Sequence, residues 1–218
     1  MLELQNITKT FTTGEAVTPI RNIDLKIEKG KITTISGESG TGKSTLLMII
    51  GGLLKPTEGK VLLQGKDLWS LNDQEISKLR SKTYGYLFQS SVMIKALTIA
   101  ENIEFAAKVA GKDISKKEIE KLLDNIGIKD KKNSLPHTLS GGQRRRAMLA
   151  INHARDPEII IADEPTNDLD KYWKEKTLDF FKEWRDMGKT IILASHDPEV
   201  EALGEIKYKI VESELKLK

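Results

Sequence analysis

Apolar and polar positions change their period along this chain, and each change marks a change of element. Ile23, Leu25 and Ile27 alternate with polar neighbours, the two-residue period of a strand with one buried face. The first third reads as strands. Residues 31–36 are short, β-branched and run straight into a glycine-rich turn, so they form a strand that feeds a loop. Residues 44–54 then read as a helix, closed by glycines and by Pro56. A strand, a glycine loop and a helix in that order begin a βαβ unit.

The middle third takes the helical period. Asn72 and Glu75, Thr98 and Glu101, and Ser115 and Glu118 each have the spacing of a capping box, in which side chain and backbone satisfy each other's unpaired groups at a helix start. Ile119, Leu122, Leu123 and Ile126 form an i, i+3, i+4, i+7 stripe that Gly127 stops. Gly111 ends the helix that begins near Thr98. The last third returns to α/β. Ile159-Ile160-Ile161-Ala162 is a continuous apolar run, the signature of a parallel strand covered on both faces. Trp173, Thr177, Phe180, Phe181 and Trp184 mark the core face of a helix ended by Gly188. Residues 190–195 make another buried strand, and residues 205–211 a partly exposed one. The expectation is one α/β domain over residues 1–218, with a core of about 1–89 and 156–218 and a helical part of about 90–155.

Composition narrows the class. The 218 residues are 39% hydrophobic and 31% charged, with a formal net charge of +3. That is too apolar for disorder and too evenly charged to demand a nucleic-acid partner. The longest unbroken apolar stretch, residues 46–54, includes two glycines and falls far short of the ~20 residues of a bilayer span. Met1-Leu2-Glu3-Leu4-Gln5 lacks the basic flank and apolar run of a secretion signal. The absence of cysteine removes disulfides and thiolate metal sites and fits a reducing compartment. An intracellular protein without direct membrane insertion is expected.

The glycine-rich turn carries chemistry. Gly37-Glu38-Ser39-Gly40-Thr41-Gly42-Lys43-Ser44 matches the phosphate-loop pattern G-x-x-x-x-G-K-[ST], with Thr45 next in the helix. Glycines let the backbone aim several N–H groups at phosphates, and the helix N-terminus adds its positive end. Lys43 would reach the β- and γ-phosphates, while the Ser44 hydroxyl would hold Mg²⁺. Asp163 and Glu164 follow the apolar strand at Ile159. A carboxylate at the end of a buried α/β strand sits beside such a loop, so Asp163 suits the Mg²⁺ and Glu164 could take a proton from attacking water.

Leu139-Ser140-Gly141-Gly142-Gln143 precedes a helix containing Arg144, Met148 and Ile151. This pentapeptide resembles the signature of the ABC-type ATPases, and the resemblance runs along nearly the whole chain. Gln89 looks like that family's Q-loop glutamine, Asp168-Leu169-Asp170 falls at its D-loop, His196 at its switch histidine, and Phe11 at the aromatic that stacks on adenine. The resemblance implies a P-loop NTPase fold of the ABC-ATPase type: a RecA-like α/β core, an antiparallel β subdomain and a helical signature subdomain. It implies ATP and Mg²⁺ as ligands. Residues 37–45, Phe11, Gln89, Ser140, Gly141, Gly142, Gln143 and Asp168 would bind the nucleotide; Ser44, Gln89 and Asp163 would hold the metal; Glu164 and His196 would be catalytic. Ser140, Gly141 and Gly142 would face the γ-phosphate held by a second subunit, so that a homodimer closes around two ATP molecules.

Residues 68–89 resemble the subclass serving lipoprotein release, macrolide efflux and cell-division complexes. The implied partner is a separate integral membrane permease, reached from the cytoplasmic side through an apolar groove that includes Val92, Met93, Ile94 and Leu97. The alternatives are a cassette that regulates a non-transporting membrane complex, or a soluble ABC ATPase acting on nucleic acid. His137 and His153 read as solvated or packed, and Arg144-Arg145-Arg146 as a solvated face. Asp168 departs from the small or neutral residue usual at its D-loop position, which places an extra carboxylate near the dimer seam.

Overall fold

The computed structural model describes residues 2–12, 14–88 and 93–218. Two sheets share the strands. The antiparallel sheet holds β1 (Leu2–Phe11), β2 (Val17–Ile27), β4 (Glu58–Leu63) and β5 (Lys66–Asp67) in the order β2-β1-β4-β5. The second sheet contains β3 (Ile32–Ser36), β6 (Tyr84–Leu87), β7 (Ile159–Asp163), β8 (Thr190–Ala194), β9 (Ile206–Val211) and β10 (Glu214–Leu217). Its order is β10-β9-β3-β8-β7-β6, parallel except for β10 against β9.

The continuous apolar runs in the second sheet serve two cores at once. Ile159 and Ile161 of β7, with Ile192 and Ala194 of β8, face a core shared with β1, β2, β4 and helix α1 (Lys43–Ile50). Ile160, Ala162, Ile191 and Leu193 point the other way, into a core built from α3 (Ile99–Val109), α4 (Lys116–Asn125), α5 (Gly141–Arg155) and α6 (Lys171–Asp186). A two-residue period with both faces buried needs no polar positions. The aromatic face of α6 packs inward at Phe181 and Trp184, as its spacing predicts.

The three capping boxes form at the starts of α2 (Asp73–Thr83), α3 and α4. Two expectations change. Helix α1 ends at Ile50 instead of reaching Leu54. Gly52 takes φ +65°, and the N–H groups of Gly52 and Leu53 fold back onto Ile49 O and Met48 O at 3.0 and 2.8 Å. That reversal satisfies the last carbonyls of the helix and stops it. The other change is β10, which the sequence does not announce. Its hairpin turn places Glu212 and Ser213 at φ +51° and +69°, where Asn-Gly would be the recognisable pair.

Candidate active site

Strand register assembles the site. Ile35 of β3 lies opposite Ala194 of β8, and Ala194 lies opposite Asp163 of β7. The phosphate loop leaves β3, Glu164 follows β7, and Ser195 and His196 follow β8, so all three emerge side by side at the carboxyl edge of the sheet, where α/β folds place ligands.

The loop is held open from within. Lys43, 7% exposed, donates from Nζ to Gly37 O and Glu38 O, both at 2.8 Å. Gly42 has φ +98°, and a Cβ there would lie 2.6 Å from Pro19 O of β2, so the antiparallel sheet presses directly on the loop and excludes any side chain. Helix α1 begins with no side-chain cap, whereas α2 to α6 each begin with one. Its first N–H groups are those that an anion would satisfy.

Ser44 Oγ donates to Asp163 Oδ2 at 2.5 Å. Burial pushes the Asp163 carboxyl above the usual range, with Ser44 and the charges of Lys43 and Arg145 acting against it. Hydroxyl and carboxylate oxygens suit Mg²⁺, which takes few protein ligands and draws the others from phosphate and water. Among the described residues no group of three or more His, Cys, Asp or Glu side chains could hold a metal by itself. Gln89, expected as a further ligand, lies outside the described residues, as does Val92.

Glu164 takes φ +45°, and its N–H donates to Ala194 O at 2.8 Å. The turn brings its carboxylate over the end of β8, where both oxygens are engaged. Oε2 accepts from Ser195 Oγ at 2.6 Å, and Oε1 accepts from the His196 N–H at 3.2 Å. Oε1 also lies 2.7 Å from His196 Nδ1. The Glu164 side chain is 12% exposed and that of His196 is 67% exposed, so the imidazole spans from a sheltered carboxylate to open solvent. Asp197 continues the network, with its carboxylate 2.7 Å from Lys174 Nζ.

The signature segment lies in a separate cleft. Ser140 and Gln143 form a fourth capping box, at α5: the Gln143 N–H donates to Ser140 Oγ at 3.2 Å and the Ser140 N–H to Gln143 Oε1 at 2.9 Å. Gly142 lies against the D-loop, where a Cβ would meet Asp168 O at 2.9 Å, and one on Gly141 would meet the Asp168 side chain at 3.3 Å. Asp168 has φ +64°, a conformation that Asp and Asn tolerate better than most residues. That explains an acidic residue there without any ion. Ser140, Gly141, Gly142 and Asp168, with Arg144, Arg146, Asp170 and Trp173, line a cleft of about 480 Å³. Phe11, 37% exposed, sits at the end of β1, paired with Val17.

The arginine run is not a solvated face. Arg144 donates to Leu139 O. Arg145, only 3% exposed, reaches Phe88 O at 3.3 Å and Asp163 O at 3.5 Å. Arg146 donates to Ile126 O and Gly127 O and lies 4.2 Å from the Trp173 ring centroid. Charge alone suggested solvent; the α5 register turns the guanidinium groups to carbonyls at the ends of neighbouring elements. Neither Arg145 nor Ser195 carries a signal that a single sequence displays. His153 accepts from Trp184 Nε1 at 3.3 Å, in keeping with packing.

An uncapped phosphate loop beside paired strand-end carboxylates defines a P-loop nucleotide-binding protein. A family model described as "ABC transporter" matches residues 20–167, and the chain belongs to that family as an ABC-type ATPase cassette that binds ATP. It is 40% identical to an uncharacterized ABC transporter ATP-binding protein of Methanocaldococcus jannaschii, over 92% of this chain and 91% of that protein. It is 39% identical to the macrolide export ATP-binding/permease protein MacB of Bartonella henselae, over 92% of this chain but 31% of MacB. A dimeric structure of the ATP-binding cassette MJ0796, in a post-hydrolysis state bound to ADP and Pi, superposes with a TM-score of 0.92 at 35% identity, covering 100% of this chain and 98% of that one.

Proposed function

We propose that two copies of this chain close around two ATP molecules and use hydrolysis to drive a separate integral membrane permease from the cytoplasmic face. The observation that carries the hydrolytic part is Glu164, held by Ser195 and His196 one residue beyond the Asp163 that Ser44 touches. Residues 37–45 cradle the phosphates, with Lys43 exchanging its two carbonyl partners for the β- and γ-phosphates. Phe11 stacks on the adenine. Ser44 and Asp163, with Gln89, hold Mg²⁺, which neutralises phosphate charge when bound. Glu164 takes the proton from the attacking water, and His196, beside it, contacts the γ-phosphate. Ser140, Gly141, Gly142, Gln143 and Asp168 complete the site of the opposite subunit. Residues 1–218 act as one cassette, the core being about 1–89 and 156–218 and the helical part about 90–155.

The dimeric ADP- and Pi-bound state of MJ0796 supports pairing. A membrane partner is supported by an apolar groove of about 440 Å³. Leu53, Ile94, Phe105 and Val109 line it and are 41–49% exposed; Met93 joins them, while Leu97 is half-buried outside the lining. Such an exposed apolar groove is where a permease segment would seat; among the described residues no helix is long and apolar enough to cross a membrane.

Glu164→Gln tests the reading. The amide cannot take the proton, so turnover should fall by about a hundredfold or more while ATP still binds, and size-exclusion chromatography with ATP should show a trapped dimer. A monomeric Glu164→Gln protein with normal turnover would sink the assignment.

A further inference from the structure

The hydroxyl of Ser195 is buried, 3% exposed for the residue as a whole, and both of its hydrogen-bonding roles are filled. It accepts from the Asp197 N–H at 3.1 Å and donates to Glu164 Oε2 at 2.6 Å. The carboxylate can only accept, so the hydroxyl proton points at Glu164 while a lone pair takes the Asp197 N–H. Asp197 is itself immobilised: its carboxylate meets Lys174 Nζ at 2.7 Å and Thr166 Oγ1 at 3.3 Å, and its Oδ1 caps helix α7 (Pro198–Ala202) through the Glu199 N–H at 2.9 Å. A rigid chain therefore runs from Lys174 through Asp197 and Ser195 to one oxygen of Glu164.

We propose that Ser195 is a positioning residue for hydrolysis. By holding Oε2 it fixes the orientation of the Glu164 carboxylate, whose Oε1 meets the His196 N–H and Nδ1. Its hydroxyl is taken up by Glu164 and Asp197, so Ser195 acts through Glu164. The inference rests on the reading of Glu164 as the base and adds to it the group that holds that carboxylate in place.

The experiment compares Ser195→Ala, Ser195→Thr and Glu164→Gln for ATP turnover, and for ATP affinity by equilibrium binding. Loss of a hydrogen bond to a charged group corresponds to about ten- to a hundredfold, so Ser195→Ala should lose that much kcat. ATP affinity should stay within about twofold, because uniform binding is untouched. Ser195→Thr, which keeps the hydroxyl, should restore most of the rate. Wild-type kcat in Ser195→Ala, with Glu164→Gln inactive, overturns the role of Ser195 and leaves the base in place. Equal losses of affinity and turnover in Ser195→Ala, without rescue by Thr, reduce Ser195 to a packing residue and also overturn it. Full turnover by Glu164→Gln removes the base, and the role of Ser195 with it.

Discussion

Helices α1 and α5 both begin at a turn that holds glycine and serine, yet their N-termini are in opposite states. At α1 the residue before the helix is Gly42, no side chain caps the first turn, and the nearest cation, Lys43, bonds backbone carbonyls of its own loop. At α5, Ser140 and Gln143 satisfy each other in a capping box. The first arrangement leaves N–H groups unpaired until a phosphate arrives. The second is stable by itself, with the Gly141 and Gly142 N–H groups as its open donors. In the proposed mechanism the first helix start would bind an anion in the monomer, and the second would add to an anion already held elsewhere. That asymmetry would give the proposed shared site a primary cradle, and a lid contributing only on closure.

Breaking the lid should produce the largest effect. Ser140→Arg puts a bulky cation where Gly142 already lies against Asp168. Dimerisation and hydrolysis should fail, with turnover down about a hundredfold or more, while the ATP affinity of the monomer stays unchanged in a binding titration. Normal hydrolysis by monomeric Ser140→Arg would show that the two helix starts do not share a site. Breaking the cradle comes next. Lys43→Ala removes the charge-assisted contact to phosphate, so ATP affinity should drop by about ten- to a hundredfold, read with a fluorescent ATP analogue. Mixing the two variants sharpens the contrast, because a mixed dimer holds one composite site with both residues and one with neither. Activity regained on mixing would support the pairing.

The smallest effect separates the cap from the lid. Ser140→Ala deletes only the side-chain cap, and urea unfolding should report a loss of about 1 kcal/mol. No comparable cap exists at α1 to delete; there, ATP at a hundredfold excess over its Kd should add about 2.7 kcal/mol of stability, and Lys43→Ala should lose about half of that gain or more at the same concentration. A Ser140→Ala protein as stable as wild type would mean the α5 start is held by packing alone.

Much of this was legible because local rules and the fold agree. The phosphate loop, the strand ending in Asp163 and the boxes at Asn72, Thr98 and Ser115 are short-range patterns whose physics lies within a few residues. The same rule holds at Ser140 and Gln143, where one short pattern fits both a helix cap and a phosphate-facing loop. Elsewhere the determining contact is distant in sequence. Arg145 read as solvated because charge is a local property; its carbonyl partners at Phe88 and Asp163 come from two other elements. Helix α1 read four residues too long because apolar periodicity continued through Gly51 and Gly52, and only the left-handed Gly52 shows where the chain turns.

The sequence by itself determined the element types, the phosphate-binding chemistry and the family resemblance, since these depend on residue identity at fixed spacing. Tertiary structure alone decided which of those residues meet. Register between β3, β8 and β7 sets Ser44 against Asp163 and Ser195 against Glu164, across sequence separations of 119 and 31 residues. No periodicity encodes such a meeting, because it follows from burying both faces of one parallel sheet at once.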